Sequence, residues 1–204
     1  MNLRGYKNVK PKKLNQTDAI FLNQLNKVIE NSTESFKNYD YARAKSEADT
    51  FFWKTLCDNY MEIVKNRVYN GTPEEKESAS YTLYNSLLAV LKMMAPITPF
   101  ITEEIYQNYF RINEKEKSIH LCSWPEQISV KSEKDDELKW QKITEIIEKV
   151  RRAKSEAKKS MKAEIILTIT KNDKKLLEDL MADLRAVTGS KEIKEGNEIK
   201  VEFI

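Results

Sequence analysis

The sequence predicts a mainly α protein: an antiparallel helix bundle followed by a long helix and a small α+β module. Three observations carry that prediction. Among 204 residues there are only four glycines and five prolines, while 33% are charged, a composition that favours long helices with solvated faces over a sandwich or barrel. Apolar residues recur at helical spacing as far as Val150. After Lys162 the pattern changes to alternation, which is the period of a strand.

The first helix begins near Thr17, presents Ile20, Phe21, Leu25, Val28 and Ile29, and extends through Phe36. Asp40 is a suitable N-cap for the second, which runs to Tyr69 before Asn70-Gly71 stops it. Within it, Trp53, Cys57, Tyr60, Met61, Val64 and Val68 fall on one face, and Lys54, Asp58, Glu62, Lys65 and Asn66 on another. Thr72-Pro73-Glu74-Glu75 reads as a capping box opening a third helix, whose stripe is Leu83, Leu87, Leu91 and Met94. The chain halts at Pro96 and restarts with Thr98 as cap and Pro99 in the first turn. This fourth helix, residues 99–110, is expected to bury Phe100, Ile101, Ile105 and Tyr109. Short connections imply antiparallel neighbours.

The polar segment 126–136 marks a boundary, dividing the chain into 1–125 and 126–204. Beyond it Leu138, Ile143, Ile146, Ile147 and Val150 define a helix that continues toward Lys159. Ala163, Ile165, Leu167 and Ile169 then form the more apolar face of a strand. Asn172-Asp173 opens a helix bearing Leu177, Leu180, Met181 and Leu184, which Gly189 ends. Segments 192–195 and 198–203 flank Gly196-Asn197 as an expected hairpin.

A formal charge of +3 from nearly balanced totals creates no overwhelming global field. Local clusters must attract any polyanion. Residues 1–16 hold Arg4, Lys7, Lys10, Lys12 and Lys13 with no acid, and 149–162 hold seven basic residues against Glu156 alone. Cys57 and Cys122 lack the spacing of a metal site or a disulfide framework and suit a reducing compartment. There is no secretory h-region, and runs such as Leu87-Leu88-Ala89-Val90-Leu91 are too short to cross a bilayer. No membrane partner is expected.

Catalytic readings are weak. Glu103-Glu104 sit in the first turns of a helix, where the macrodipole favours negative charge, with no partner base in sight. Asp58 and Glu62 lie one turn apart but within reach of Lys54 and Lys65, so an ion-pair ladder is favoured over metal ligation. His120 is the only histidine, and any catalytic triad would have to pass through it. Trp53, Trp124 and Trp140 are suited to stacking on nucleobases, although burial is the commoner fate of a tryptophan at helical spacing and is the expectation for Trp53.

Three stretches taken together resemble a known family. They are residues 51–62, the corner Met94-Ala95-Pro96-Ile97-Thr98-Pro99-Phe100-Ile101-Thr102-Glu103-Glu104-Ile105-Tyr106, and Ser118-Ile119-His120-Leu121-Cys122-Ser123-Trp124-Pro125. They resemble the anticodon-binding domain of the class I aminoacyl-tRNA synthetases for aliphatic amino acids. Residues 53–69, with Cys57-Asp58-Asn59-Tyr60 and Val64-Lys65-Asn66-Arg67-Val68-Tyr69, are most similar to the valine-specific members. Arg152-Ala153-Lys154-Ser155-Glu156 and Ser160-Met161-Lys162-Ala163-Glu164-Ile165 look like their archaeal type. Lys159-Ser160-Met161-Lys162 differs in order from the catalytic Lys-Met-Ser-Lys-Ser loop, no nucleotide-binding fold surrounds it, and it is a coincidence.

The resemblance implies that the bundle cradles the anticodon stem and loop of a tRNA, with valine tRNA expected, in the cytoplasm. ATP and Mg²⁺ would belong to a catalytic domain outside this chain, whose other partners are the remaining domains of a parent synthetase. No cofactor, catalytic residue or metal is expected in the chain itself, which is expected to be a C-terminal fragment beginning within the anticodon-binding region. Phosphate contacts are assigned to Arg4, Lys7, Lys65, Arg67, Arg151, Arg152, Lys154 and Lys158. Two other readings remain: a sister enzyme for isoleucine, leucine or methionine, and a helical protein-interaction scaffold.

Overall fold

A computed structural model of the chain describes residues 6–204. Asn15 caps α1 (Gln16–Lys37) by accepting from Thr17 N, and the apolar stripe of α1 is the axis of the core, with Ile20, Phe21, Leu22 and Leu25 fully buried. Tyr39 turns the chain with a positive φ of 60°. Asp40 then caps α2 (Tyr41–Thr50) by accepting from Arg43 N. A π-helical segment (Phe51–Tyr60) leads without a break into α3 (Met61–Asn70). The expected second helix is therefore one rod with a wide-turned middle.

The capping box at Thr72 forms in both directions and opens α4 (Pro73–Met94). The Pro96 to Pro99 corner leads into α5 (Pro99–Tyr109). Here Thr98 makes no side-chain cap; its hydroxyl donates back to Met94 O at 3.2 Å. The expected burial on α5 is corrected too. Phe100 is 90% exposed and Ile101 and Tyr109 are exposed, while Thr102, Tyr106 and Phe110 are buried. Tyr106 and Phe110 pack with Tyr84, Leu88, Leu91, Ala95 and Ile119 in a small second core. The reason is a tether on the other flank: Glu103 accepts from Ser118 Oγ (2.8 Å), Ile119 N (2.9 Å) and Gln107 Nε2 (2.7 Å), fixing which side of α5 faces the following loop. Burial works to raise the Glu103 carboxyl, but these donors prevail and hold it below the usual carboxylate range.

α6 (Asp136–Glu156) buries Trp140, Ile143, Ile146, Ile147 and Val150. It stops short of Lys159, and Lys158 adopts a left-handed φ of 53° just beyond its end. A three-stranded sheet follows, made of β1 (Ile165–Thr170), β2 (Ser190–Gly196) and β3 (Lys200–Phe203), in the order β2-β1-β3. β2 runs parallel to β1 after a crossover through α7 (Lys171–Leu176) and α8 (Met181–Thr188), and β3 runs antiparallel to β1 on the other side. The expected hairpin is thus corrected: its two strands never pair with each other. β1 carries Ile165, Leu167 and Ile169, all fully buried, and takes the centre; the strands rich in Lys and Glu take the edges, where charge discourages further pairing. Gly196 lets the chain pass the end of β1, since a Cβ there would lie 2.5 Å from Thr168 Cγ2.

The larger core is continuous across residue 125. Phe21, Tyr60 and Ile63 belong to the same buried cluster as Ile143, Ile147, Leu167 and Leu184. Phe21 lies flat on Tyr60, with ring centroids 3.8 Å apart, and is flanked by Phe51 and Trp140.

Candidate nucleic-acid interface

The π-helical segment determines what the surface displays. Its backbone bonds reach five residues, as from Met61 N to Leu56 O, so each turn holds more residues than an α-helix. Phe51, Leu56 and Tyr60 consequently share the buried side. Trp53, expected in the core on an α-helical period, is instead 62% exposed. Phe52 meets it edge-on at 4.9 Å, and Lys54 beside it is exposed. The run Phe51-Phe52-Trp53 held the missed signal: three consecutive aromatics cannot share one helical face, so one had to look outward.

Asn59 joins this aromatic edge to the basic end of α6. Its Nδ2 donates to Lys54 O at 2.8 Å, and its Oδ1 accepts from Arg151 Nη1 at 3.3 Å. Arg151 also donates from Nη2 to Asp58 O at 2.6 Å. The guanidinium is therefore aimed along the π segment by two acceptors. Arg152 is 80% exposed at its side chain and makes a long contact to Glu156, 3.7 Å, and Lys158 is exposed. Between α3 and the ends of α6 and α8 runs a groove of about 970 Å³, bordered by Lys65, Tyr69, Arg151 and Lys162. Cys57 lines it as well; burial, then the charge of Asp58, push its thiol up and away from the reactive thiolate.

The other residues assigned to phosphate contact divide. Lys7 is exposed, and Lys65 is exposed and held by Glu62 at 2.8 Å. Arg4 lies outside the described residues. Arg67 and Lys154 are corrected, because both are buried. Arg67 grips Asp18 with two nitrogens and Asp183 with a third. Lys154 donates to Met161 O (2.9 Å) and Thr188 O (2.8 Å), closing the loop after α6 against the end of α8. Burial lowers the Lys154 ammonium from its ordinary value.

The other tryptophans are structural. Trp140 is buried against Phe21, and Trp124 donates to Thr33 Oγ1 at 2.8 Å while meeting Phe36 edge-on. Among the described residues no group of three or more His, Cys, Asp or Glu side chains is arranged to hold a metal ion, and no helix is long and apolar enough to cross a membrane.

Comparison with known proteins bears on this surface. Residues 18–171 match the family described as the anticodon-binding domain of tRNA ligase. The chain is 36% identical over 203 residues to the valine–tRNA ligase of Rickettsia felis, covering 96% of this chain and 23% of that protein. It is 34% identical over 207 residues to the valine–tRNA ligase of Thermoplasma volcanium, covering 98% of this chain and 25% of that protein. For the valine–tRNA ligase of Thermococcus kodakarensis the identity is 34% over 155 residues, covering 76% and 18%. The chain therefore spans about a quarter of the length of the first two relatives.

Proposed function

Because this chain belongs to the family of anticodon-binding domains of tRNA ligases, we propose that it recognises the anticodon stem and loop of valine tRNA within a valine–tRNA ligase. The observation that carries the reading is the family match from residue 18 to 171, which includes the π-helical segment and the basic end of α6. The parent reaction would be attachment of valine to tRNA with ATP, Mg²⁺ and ATP being held by other parts of the longer protein. Its compartment would be the cytoplasm.

The physics of the surface suits a single-stranded loop. Phosphates carry affinity and register, while unstacked bases need flat apolar partners and edge contacts. Exposed Trp53 with Phe52 offers a stacking face, and Arg151, Arg152 and Lys158 supply positive charge. Lys7 and Lys65 lie at the margins of this assignment, and Arg4 is retained in it on sequence alone. The named relatives favour valine over the isoleucine, leucine or methionine alternatives.

The test is binding of the chain to valine tRNA, isoleucine tRNA and a valine tRNA with a replaced anticodon, over a salt series. Preference for the intact valine anticodon is expected. Equal, salt-sensitive binding to all three would reject the valine assignment and leave a general tRNA surface, and no binding at low salt would favour a protein-interaction scaffold.

A further inference from the structure

Arg151 is held by uncharged groups. Its Nη2 donates to Asp58 O at 2.6 Å and its Nη1 to Asn59 Oδ1 at 3.3 Å, so the two acceptors orient the guanidinium without cancelling its charge. Lys65, which borders the same groove, is instead paired with Glu62. An arginine has five N–H donors, and these bonds use one on each terminal nitrogen. A planar fork already held in place loses less freedom when it meets a phosphate. The groove that Arg151 lines also carries Lys65, Lys154 and Lys162 against Asp58 and Glu62, which leaves it net positive.

The side chain that holds Arg151 depends on the π-helical turn. Hydrogen bonds in such a turn join residues five apart, and Asn59 Nδ2 reaches back the same five residues to donate to Lys54 O at 2.8 Å. The two partners of this amide demand a single orientation, since a carbonyl accepts only from the nitrogen and a guanidinium donates only to the oxygen. Lys54 O therefore turns Asn59 Oδ1 toward Arg151. Leucine at this position would offer neither contact, and aspartate would set an anion against Lys54 O and cancel the charge of Arg151. Resting on the RNA-binding reading above, we propose that Asn59 is a positioning residue, which uses the π-helical turn to aim Arg151 at one phosphate of the tRNA loop.

The experiment uses anticodon stem-loop RNAs carrying a neutral methylphosphonate at each loop phosphate in turn. Affinities are measured over a salt series for the unaltered chain, Arg151→Ala, Asn59→Leu and the double variant, each checked by thermal melting. At one position the methylphosphonate should weaken binding to the unaltered chain by about tenfold, as expected for a hydrogen bond to a charged group. That penalty should vanish in Arg151→Ala and shrink in Asn59→Leu. Asn59→Leu changes no charge, yet its salt slope should fall by about 0.7, the share of one phosphate, which a purely structural role would not produce. In the Arg151→Ala background the same change should cost no further affinity. If Asn59→Leu melts early, Asn59→Asp decides the matter: its carboxylate should abolish the penalty at that one phosphate, and a penalty left intact would overturn the proposal. An unchanged slope and penalty in Asn59→Leu, or losses from Asn59→Leu and Arg151→Ala that add in full, would overturn it while leaving the anticodon reading in place. So would stem-loop binding that no methylphosphonate weakens. Failure of the unaltered chain to bind any stem-loop would remove the anticodon reading and this proposal with it.

Discussion

Arg67 donates from Nε to Asp183 Oδ1 at 2.9 Å, while its Nη1 and Nη2 reach the two oxygens of Asp18 at 2.9 and 2.6 Å. One guanidinium thus ties α1, α3 and α8 together, bridging 116 residues of sequence between Arg67 and Asp183, through side chains no more than 6% exposed. Burial works to lower Arg67, but the hydrogen bonds and charge of Asp18, then the charge of Asp183, outweigh it and hold Arg67 raised. Burial raises Asp183, and the charge of Arg67 offsets this only in part. The arginine fits two carboxylates where a lysine would not, because its planar fork presents several donors in fixed directions. Tyr60 and Ser78 complete the cluster by donating to Asp18 at 2.7 and 2.5 Å. The helical bundle and the sheet module therefore share a polar lock as well as an apolar core.

Removing Arg67 leaves two buried carboxylates facing each other. Arg67→Ala should destabilise the chain by roughly 3 to 5 kcal/mol, read as a lower urea midpoint. Asp183→Ala combined with it should cost much less than the sum of the two single changes, since the groups form one network. An unchanged midpoint accompanied by weaker RNA affinity would return Arg67 to the phosphate surface.

Alkaline pH should reach the same cluster through Tyr60. Burial, then the charge of Asp18, raise the phenol well above its ordinary value of 10.0. Above that value the unfolded chain releases a proton that the folded chain keeps, so this group's contribution to stability is complete below pH 10.0 and declines as pH rises beyond it. Tyr60→Phe should lower stability at neutral pH by roughly 1 to 3 kcal/mol but make the alkaline decline shallower. Parallel alkaline slopes for the two proteins, followed by tyrosinate absorbance and circular dichroism, would remove Tyr60 from that transition.

How much of this was legible depends on how local the cause was. Caps at Asp40 and Thr72, the stop at Gly189 and the alternation of β1 are written in adjacent residues, and they form as the sequence predicts. The strand order is not local, because a Gly-Asn turn cannot reveal that a third, more apolar strand will occupy the gap between its neighbours. Charge was similarly ambiguous. Arg67 and Lys154 look in sequence like their exposed neighbours Lys65 and Arg152, and only packing shows that one meets paired carboxylates and the other a loop carbonyl and a helix-end carbonyl. Trp53 was misplaced by the assumption of a uniform helical period across a π-helical stretch.

That last correction yields a prediction which separates function from stability. Since Trp53 is mostly solvent-exposed and meets Phe52 only edge-on, Trp53→Ala removes little buried area, and its thermal midpoint should stay close to that of the unaltered chain. Its affinity for an anticodon stem-loop should fall by roughly 1 to 3 kcal/mol, the contribution of stacking one base on an aromatic platform. Stacking carries no phosphate charge, so the salt slope should be preserved. Replacing Arg152 and Lys158 with alanine should do the opposite, reducing the slope by about 0.7 for each phosphate of the single-stranded loop that is no longer neutralised. Fluorescence of Trp53 quenched on RNA addition would support the stacking face directly. A Trp53→Ala chain that melts normally and binds the stem-loop as well as the unaltered protein would rule that face out and leave the groove beside Arg151 as the remaining surface for the loop.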